Sequence, residues 1–82
     1  MNPFTVRWTK AALDQLAEIW LAHSDREAVS RASHFIEQQL ASNASNAGAE
    51  LHEGLRVIKV APLRAIYLVE ERTVEIARVT LI

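Results

Sequence analysis

From Gly54 to Leu81 the side chains alternate with a period of two, broken only at Ala61-Pro62 and around Glu70-Glu71-Arg72. No other feature constrains the chain as tightly. Breaks this short return each strand beside the one before it, which predicts a three-strand antiparallel meander. Leu55, Val57 and Lys59 point one way, and Arg56, Ile58 and Val60 the other. Pro62 has no N–H to give a ladder and belongs in a turn. Leu63 to Val69 and Thr73 to Thr80 are the strands that follow, with Glu70 to Arg72 as the hairpin turn.

The first half reads differently. Phe4 to Trp8 alternates apolar and polar residues and predicts a short strand. Thr9 can cap a helix over about residues 10–22, where Leu13, Leu16 and Trp20 form one apolar row and Ala12, Ile19 and His23 a second. Both tryptophans, Trp8 and Trp20, are expected in the core. Ser24 or Asp25 caps a second helix, with Glu27 at the capping-box position if Ser24 is the cap. Val29, Ala32, Ile36 and Leu40 make its inner face, with Phe35 alongside. So short a connection predicts an antiparallel αα-hairpin. The small and polar run from Ser42 to Gly48 predicts the end of that helix and a mobile loop reaching His52. The expected fold class is α+β, in the order β-α-α-β-β-β, with an antiparallel sheet and the αα-hairpin packed on one face.

With 82 residues there is room for one domain, taken as 1–82. So small a chain needs a core dense in apolar residues, and half of its residues are hydrophobic. The absence of cysteine removes disulfide frameworks and zinc–thiolate sites. No metal or other cofactor is expected, since His23, His34 and His52 are scattered without metal-ligand spacing. No run approaches the ~18 apolar residues of a membrane span, and the first ten residues lack a signal peptide's apolar stretch. A cytoplasmic protein with no membrane partner is expected. Net charge is −1, from nine basic and ten acidic residues. A surface for nucleic acid would therefore need uneven placement of charge. Arg56, Lys59, Arg64, Arg72 and Arg78 do crowd the last third.

Several stretches in order carry a resemblance. These are Val6-Arg7-Trp8-Thr9 leading into Ala12 to Trp20, then Gly54-Leu55-Arg56, Pro62 to Val69, and Val74 to Val79. Together the chain resembles the RelE/ParE superfamily, toxins of bacterial type II toxin–antitoxin systems, including those associated with plasmid stabilisation. The resemblance implies a cognate antitoxin as partner, wrapped around the toxin as an extended or helical segment. It implies one of two targets, the ribosome with its messenger RNA or DNA gyrase, and leaves the choice open.

Metal-free RNA cleavage needs cations converging on one phosphate and a group to carry the proton of the attacking hydroxyl. The resemblance places Arg64 at the central arginine of RelE-like nucleases and Arg56 at a second phosphate or base holder. Lys59 adds charge near the same turn, and His52 is the histidine nearest to them. RelE-like members carry a basic residue after the last strand and then a tyrosine or histidine, where this sequence has Leu81 and Ile82. Tyr67, mid-strand with Leu63 and Val69, is expected in the core. The expectation is a toxin-like protein that binds an antitoxin with ribonuclease activity weak or lost. An active ribosome-dependent endonuclease using Arg64, Arg56, Lys59 and His52 is one alternative. A non-enzymatic interaction module, pairing with a peptide strand or with a second copy as a homodimer, is the other. On a structural reading, Arg56 and Arg64 share the face of Ile58, Val60, Ile66 and Leu68 and pair with Glu50, Glu53, Glu70 or Glu71. Arg78 is expected to pair with a carboxylate across strands.

Overall fold

Alternation in the second half forms the sheet, and the apolar rows of the first half cover one side of it. A computed structural model describes residues 3–82, so the first two residues of the expected domain lie outside it. The chain runs β1 (Thr5–Trp8), α1 (Lys10–Ala22), α2 (Arg26–Ala47), β2 (Ala49–His52), β3 (Leu55–Val60), β4 (Leu63–Glu70) and β5 (Thr73–Leu81). The five strands lie in the order β1-β5-β4-β3-β2. Neighbours from β2 to β5 are antiparallel, and β1 joins β5 in parallel. The expected α+β class, with a helical hairpin on one sheet face, is the one observed. No helix among the described residues is long and apolar enough to cross a membrane.

Local chemistry sets the helix starts. Thr9 caps α1, its Oγ1 accepting from the Ala12 N–H at 3.0 Å, and Asp25, not Ser24, caps α2 by accepting from Ala28 at 3.1 Å. Along α2 the buried apolar positions are Val29, Ala32, Ile36, Leu40 and Ala44, one stripe at helical spacing, with Ser33 buried beside them. They pack on Ile58, Leu63, Ala65, Tyr67, Val74, Ile76 and Val79 of the sheet. Beyond Trp8, β1 no longer protects the edge of β5, and α1 takes over. Thr9 N–H donates to the Ile76 carbonyl at 3.0 Å, and Gln15 Oε1 accepts from the Val79 N–H at 2.8 Å. A register shift sits there, with Ile66 opposite Arg78 but Tyr67 opposite Ile76, and the Thr9 hydroxyl donates to the carbonyl of the extra residue, Ala77, at 3.3 Å.

The expected loop from Ser42 to His52 is corrected. Helix α2 is interrupted at Asn43 (φ −153°, ψ 41°) but continues to Ala47, and residues 49–52 form an edge strand. Low intrinsic helix propensity is overridden by packing. Ala44 is fully buried and its carbonyl accepts the Tyr67 hydroxyl at 2.9 Å. Gly48 then passes so close to β3 that an added Cβ would collide with the Val57 carbonyl, which leaves room only for glycine.

Tyr67 lies in the core, as its place beside Leu63 suggests, but its hydroxyl also organises this corner. It donates to Ala44 and accepts from Arg56 Nε at 3.3 Å, while Arg56 Nη2 donates to the Gly48 carbonyl at 2.7 Å. Tyr67→Phe should therefore cost about 1–3 kcal/mol, by leaving the Ala44 carbonyl and the Arg56 donor with fewer partners. The measurement is urea unfolding, in which the midpoint falls while the slope against denaturant is unchanged.

Candidate functional site

Two surfaces outside the core combine unusual chemistry with exposure. The first lies between the helices. Row by row, Ala12, Leu16 and Ile19 of α1 turn toward the sheet, whereas Leu13, Trp20 and Leu21 remain 50%, 39% and 63% exposed. With Val29 and Ser30 of α2 they line a cleft of about 400 Å³. Trp20 is therefore a groove wall and not a core residue. Trp8 is half-buried and its Nε1 donates to Glu37 at 2.8 Å. The wall is held in place before any partner arrives. Trp20 Nε1 donates to Ser30 Oγ at 3.2 Å, the Arg26 guanidinium stands 4.8 Å from the indole centroid, and Arg26 donates to the carbonyls of Trp20 and Leu21 at 3.1 and 3.0 Å. Exposed apolar side chains gathered round a preformed concavity are the physical signature of an interaction site.

The second surface is the sheet face opposite the helices. Cross-strand register puts Leu55, Val57 and Lys59 of β3 beside Leu68, Ile66 and Arg64 of β4, and these beside Glu75, Arg78 and Thr80 of β5. The expected set Arg64, Arg56, Lys59 and His52 is dispersed by this arrangement. Lys59 and Arg64 are direct cross-strand partners. Arg56 pairs with Tyr67 on the helix side, so the expectation that it shares a face with Arg64 is corrected, because strand register alternates the two. His52 is level with Leu55, four residues from Lys59, or about 13 Å along the strand. Among the described residues the salt bridges are Lys10–Asp14 and Arg31–Glu27, both on helices. Pairing of Arg56, Arg64 or Arg78 with a glutamate is thus not what the structure contains. Arg56 uses a phenol and a carbonyl instead, and exposed Arg78 joins Lys59 and Arg64 as a third cation on the open face.

Sequence reasoning missed Arg78 as a member of that cluster, because its partner Ile66 follows only after the bulge. It also missed the groove. The available signal was the width of the apolar band on α1, too broad for one neighbouring element to cover.

The fold and these surfaces define a small α+β protein built to present a helical cleft on one side and a bare sheet on the other. The chain belongs to a family: residues 6–80 match the model of the ParE toxin of type II toxin–antitoxin systems (parDE). Among solved structures it is similar to a chain of the toxin–antitoxin complex RelBE2 from Mycobacterium tuberculosis. Identity there is 23%, the match covers 100% of this chain and 94% of that one, and the TM-score is 0.80. It is also similar to a chain of the chromosomal ParDE toxin–antitoxin system of P. aeruginosa, at 22% identity over 98% of this chain and 97% of that one, with a TM-score of 0.73. A comparison with curated proteins gives no match.

Like charges directly opposite in a sheet are destabilising. Lys59→Glu replaces the Lys59/Arg64 repulsion with an attraction and should raise stability by about 0.2–1 kcal/mol. The gain should shrink in high salt, as screening requires. Urea midpoints at two ionic strengths check both statements.

Proposed function

We propose that this chain is the toxin-like component of a cytoplasmic type II toxin–antitoxin pair, and that its cognate antitoxin lays an apolar segment into the cleft between α1 and α2. The observation that carries the reading is the exposure of Leu13, Trp20 and Leu21 around a cleft whose tryptophan wall is already fixed. A preorganised site loses little side-chain freedom on binding, so its apolar area converts efficiently into affinity. Family membership and the fold shared with chains of two toxin–antitoxin structures support the partner class.

Endoribonuclease activity is proposed to be weak or lost. Transfer of the proton from an attacking hydroxyl needs an acid–base group within hydrogen-bond reach of the reacting phosphate. The Tyr67 hydroxyl is buried and already bonded, and His52 is distant from the Lys59/Arg64 pair. The second reading, a metal-independent endonuclease acting on ribosome-bound messenger, is favoured by one observation: Lys59, Arg64 and Arg78 gather without a carboxylate partner among the described residues. On that reading Arg64 would stabilise the developing phosphorane charge, with Lys59, Arg56 and His52 in supporting roles.

Expression without an antitoxin is expected to arrest growth. Unchanged growth, translation and DNA supercoiling would overturn the toxin reading. Cleavage of ribosome-bound messenger that disappears in Arg64→Ala would replace weak activity with the nuclease reading. For the groove, Trp20→Ala should weaken antitoxin binding by about 2 kcal/mol or more, roughly thirtyfold. The check is titration calorimetry, with circular dichroism confirming that the fold is kept.

A further inference from the structure

Among the described residues no helix covers the open sheet face, and its charges are segregated. Lys59 and Arg64 lie toward one end of the strands and Arg78 next to them, while Glu70 and Glu75 lie toward the other end. Ile66 and Leu68 separate Arg64 from Glu70 along β4, the middle strand of the five. The acidic end is hollow. A cavity of about 520 Å³ there is lined by Leu68, Glu70, Glu71 and Glu75, with Arg7 level with Glu75 on the neighbouring strand. Three carboxylates against one guanidinium leave that hollow negative.

We propose that this face binds a second copy of the chain, sheet against sheet, with the strands of the two copies antiparallel. The register follows from the pattern of charge. A two-fold axis between the faces, crossing the strands at the level of Tyr67, brings residues equally far on either side of that level together. Ile66 then meets Leu68 of the second copy, and Arg64 meets its Glu70. Arg78 is level with Ile66 and Glu75 with Leu68, so the same axis joins Arg78 to Glu75 of the second copy. Each contact occurs twice, as an isologous interface demands. Stacking with the strands parallel would instead put Arg64 over Arg64 and Glu70 over Glu70, which like-charge repulsion disfavours. Packed sheets keep their strand directions within about 30°, so β4 over β4 remains the centre despite the twist.

Sedimentation equilibrium of the purified full chain tests this over a range of concentration and salt. The expected result is a monomer–dimer equilibrium weakened by salt. Arg64→Glu and Glu70→Arg, each alone, set like charges against each other at both symmetric contacts and should weaken the dimer about tenfold or more. An equimolar mixture of the two variants should recover dimer, because each then supplies the charge the other lacks. A wild-type chain that stays monomeric at its highest soluble concentration overturns the proposal. So do single variants that dimerise like wild type, or a mixture no better than its components. If circular dichroism shows that either variant is unfolded, Arg78→Glu and Glu75→Arg replace the pair with the same expectations. Trp20→Ala in the helical cleft should leave the equilibrium unchanged, which separates this interface from the antitoxin site.

Discussion

A phenol hydroxyl buried on a central strand must find its hydrogen-bond partners inside the protein, because leaving it unpaired costs as much as several apolar contacts return. Tyr67 meets that demand by reaching the Ala44 carbonyl and receiving Arg56. The two bonds tie the last turns of α2 to β3 and β4. Gly48 can then pass against Val57, and β2 can begin at Ala49. The corner fixes the C-terminal end of the buried stripe of α2, at Ala44, to the sheet. The same network occupies Arg56 on the helix side, where the pleat of β3 already places it, away from the exposed cation cluster.

Much of this was legible in the sequence, and what was not has a physical reason. The period-two run placed β3, β4 and β5, because alternation survives wherever one face is buried. The N-cap at Thr9 and the stripe Val29, Ala32, Ile36 and Leu40 located the helices by their own local rules. The turn residues Pro62 and Glu70 to Arg72 separated the strands, in agreement with β4 starting at Leu63 and β5 at Thr73. The failure was the stretch from Ser42 to His52. Its residues carry weak propensity for anything, and the contacts that fold them are tertiary: Ala44 bonds to Tyr67, 23 residues on, and Gly48 to Arg56 on the next strand. A strand exposed at all four positions, as β2 is, leaves no alternation to read.

The candidate residues followed the same division. Lys59 and Arg64 come together because a turn too short to allow another register joins their strands. Arg56, three residues before Lys59, falls on the opposite face by the pleat alone, and its bonds to Tyr67 and Gly48 hold it there. Trp20 and Leu13 look like core residues in a helical projection. They become a groove because the space they border together with Val29 and Ser30 of α2 is left open, a tertiary outcome that no single helix encodes. Two surfaces of different character result, one apolar and concave between helices, the other charged and bare on the sheet, and they suit different partners.

Hydrogen exchange followed by mass spectrometry, on the chain alone and with its purified cognate antitoxin, tests most directly that the helical cleft is the partner surface. Antitoxin binding is expected to slow exchange in α1 around Leu13 to Leu21 and in α2 around Val29 to Ser33, while β4 and β5 near Arg64 and Arg78 change little. Protection confined to β3, β4 and β5, with the helices exchanging as in the free chain, would contradict it.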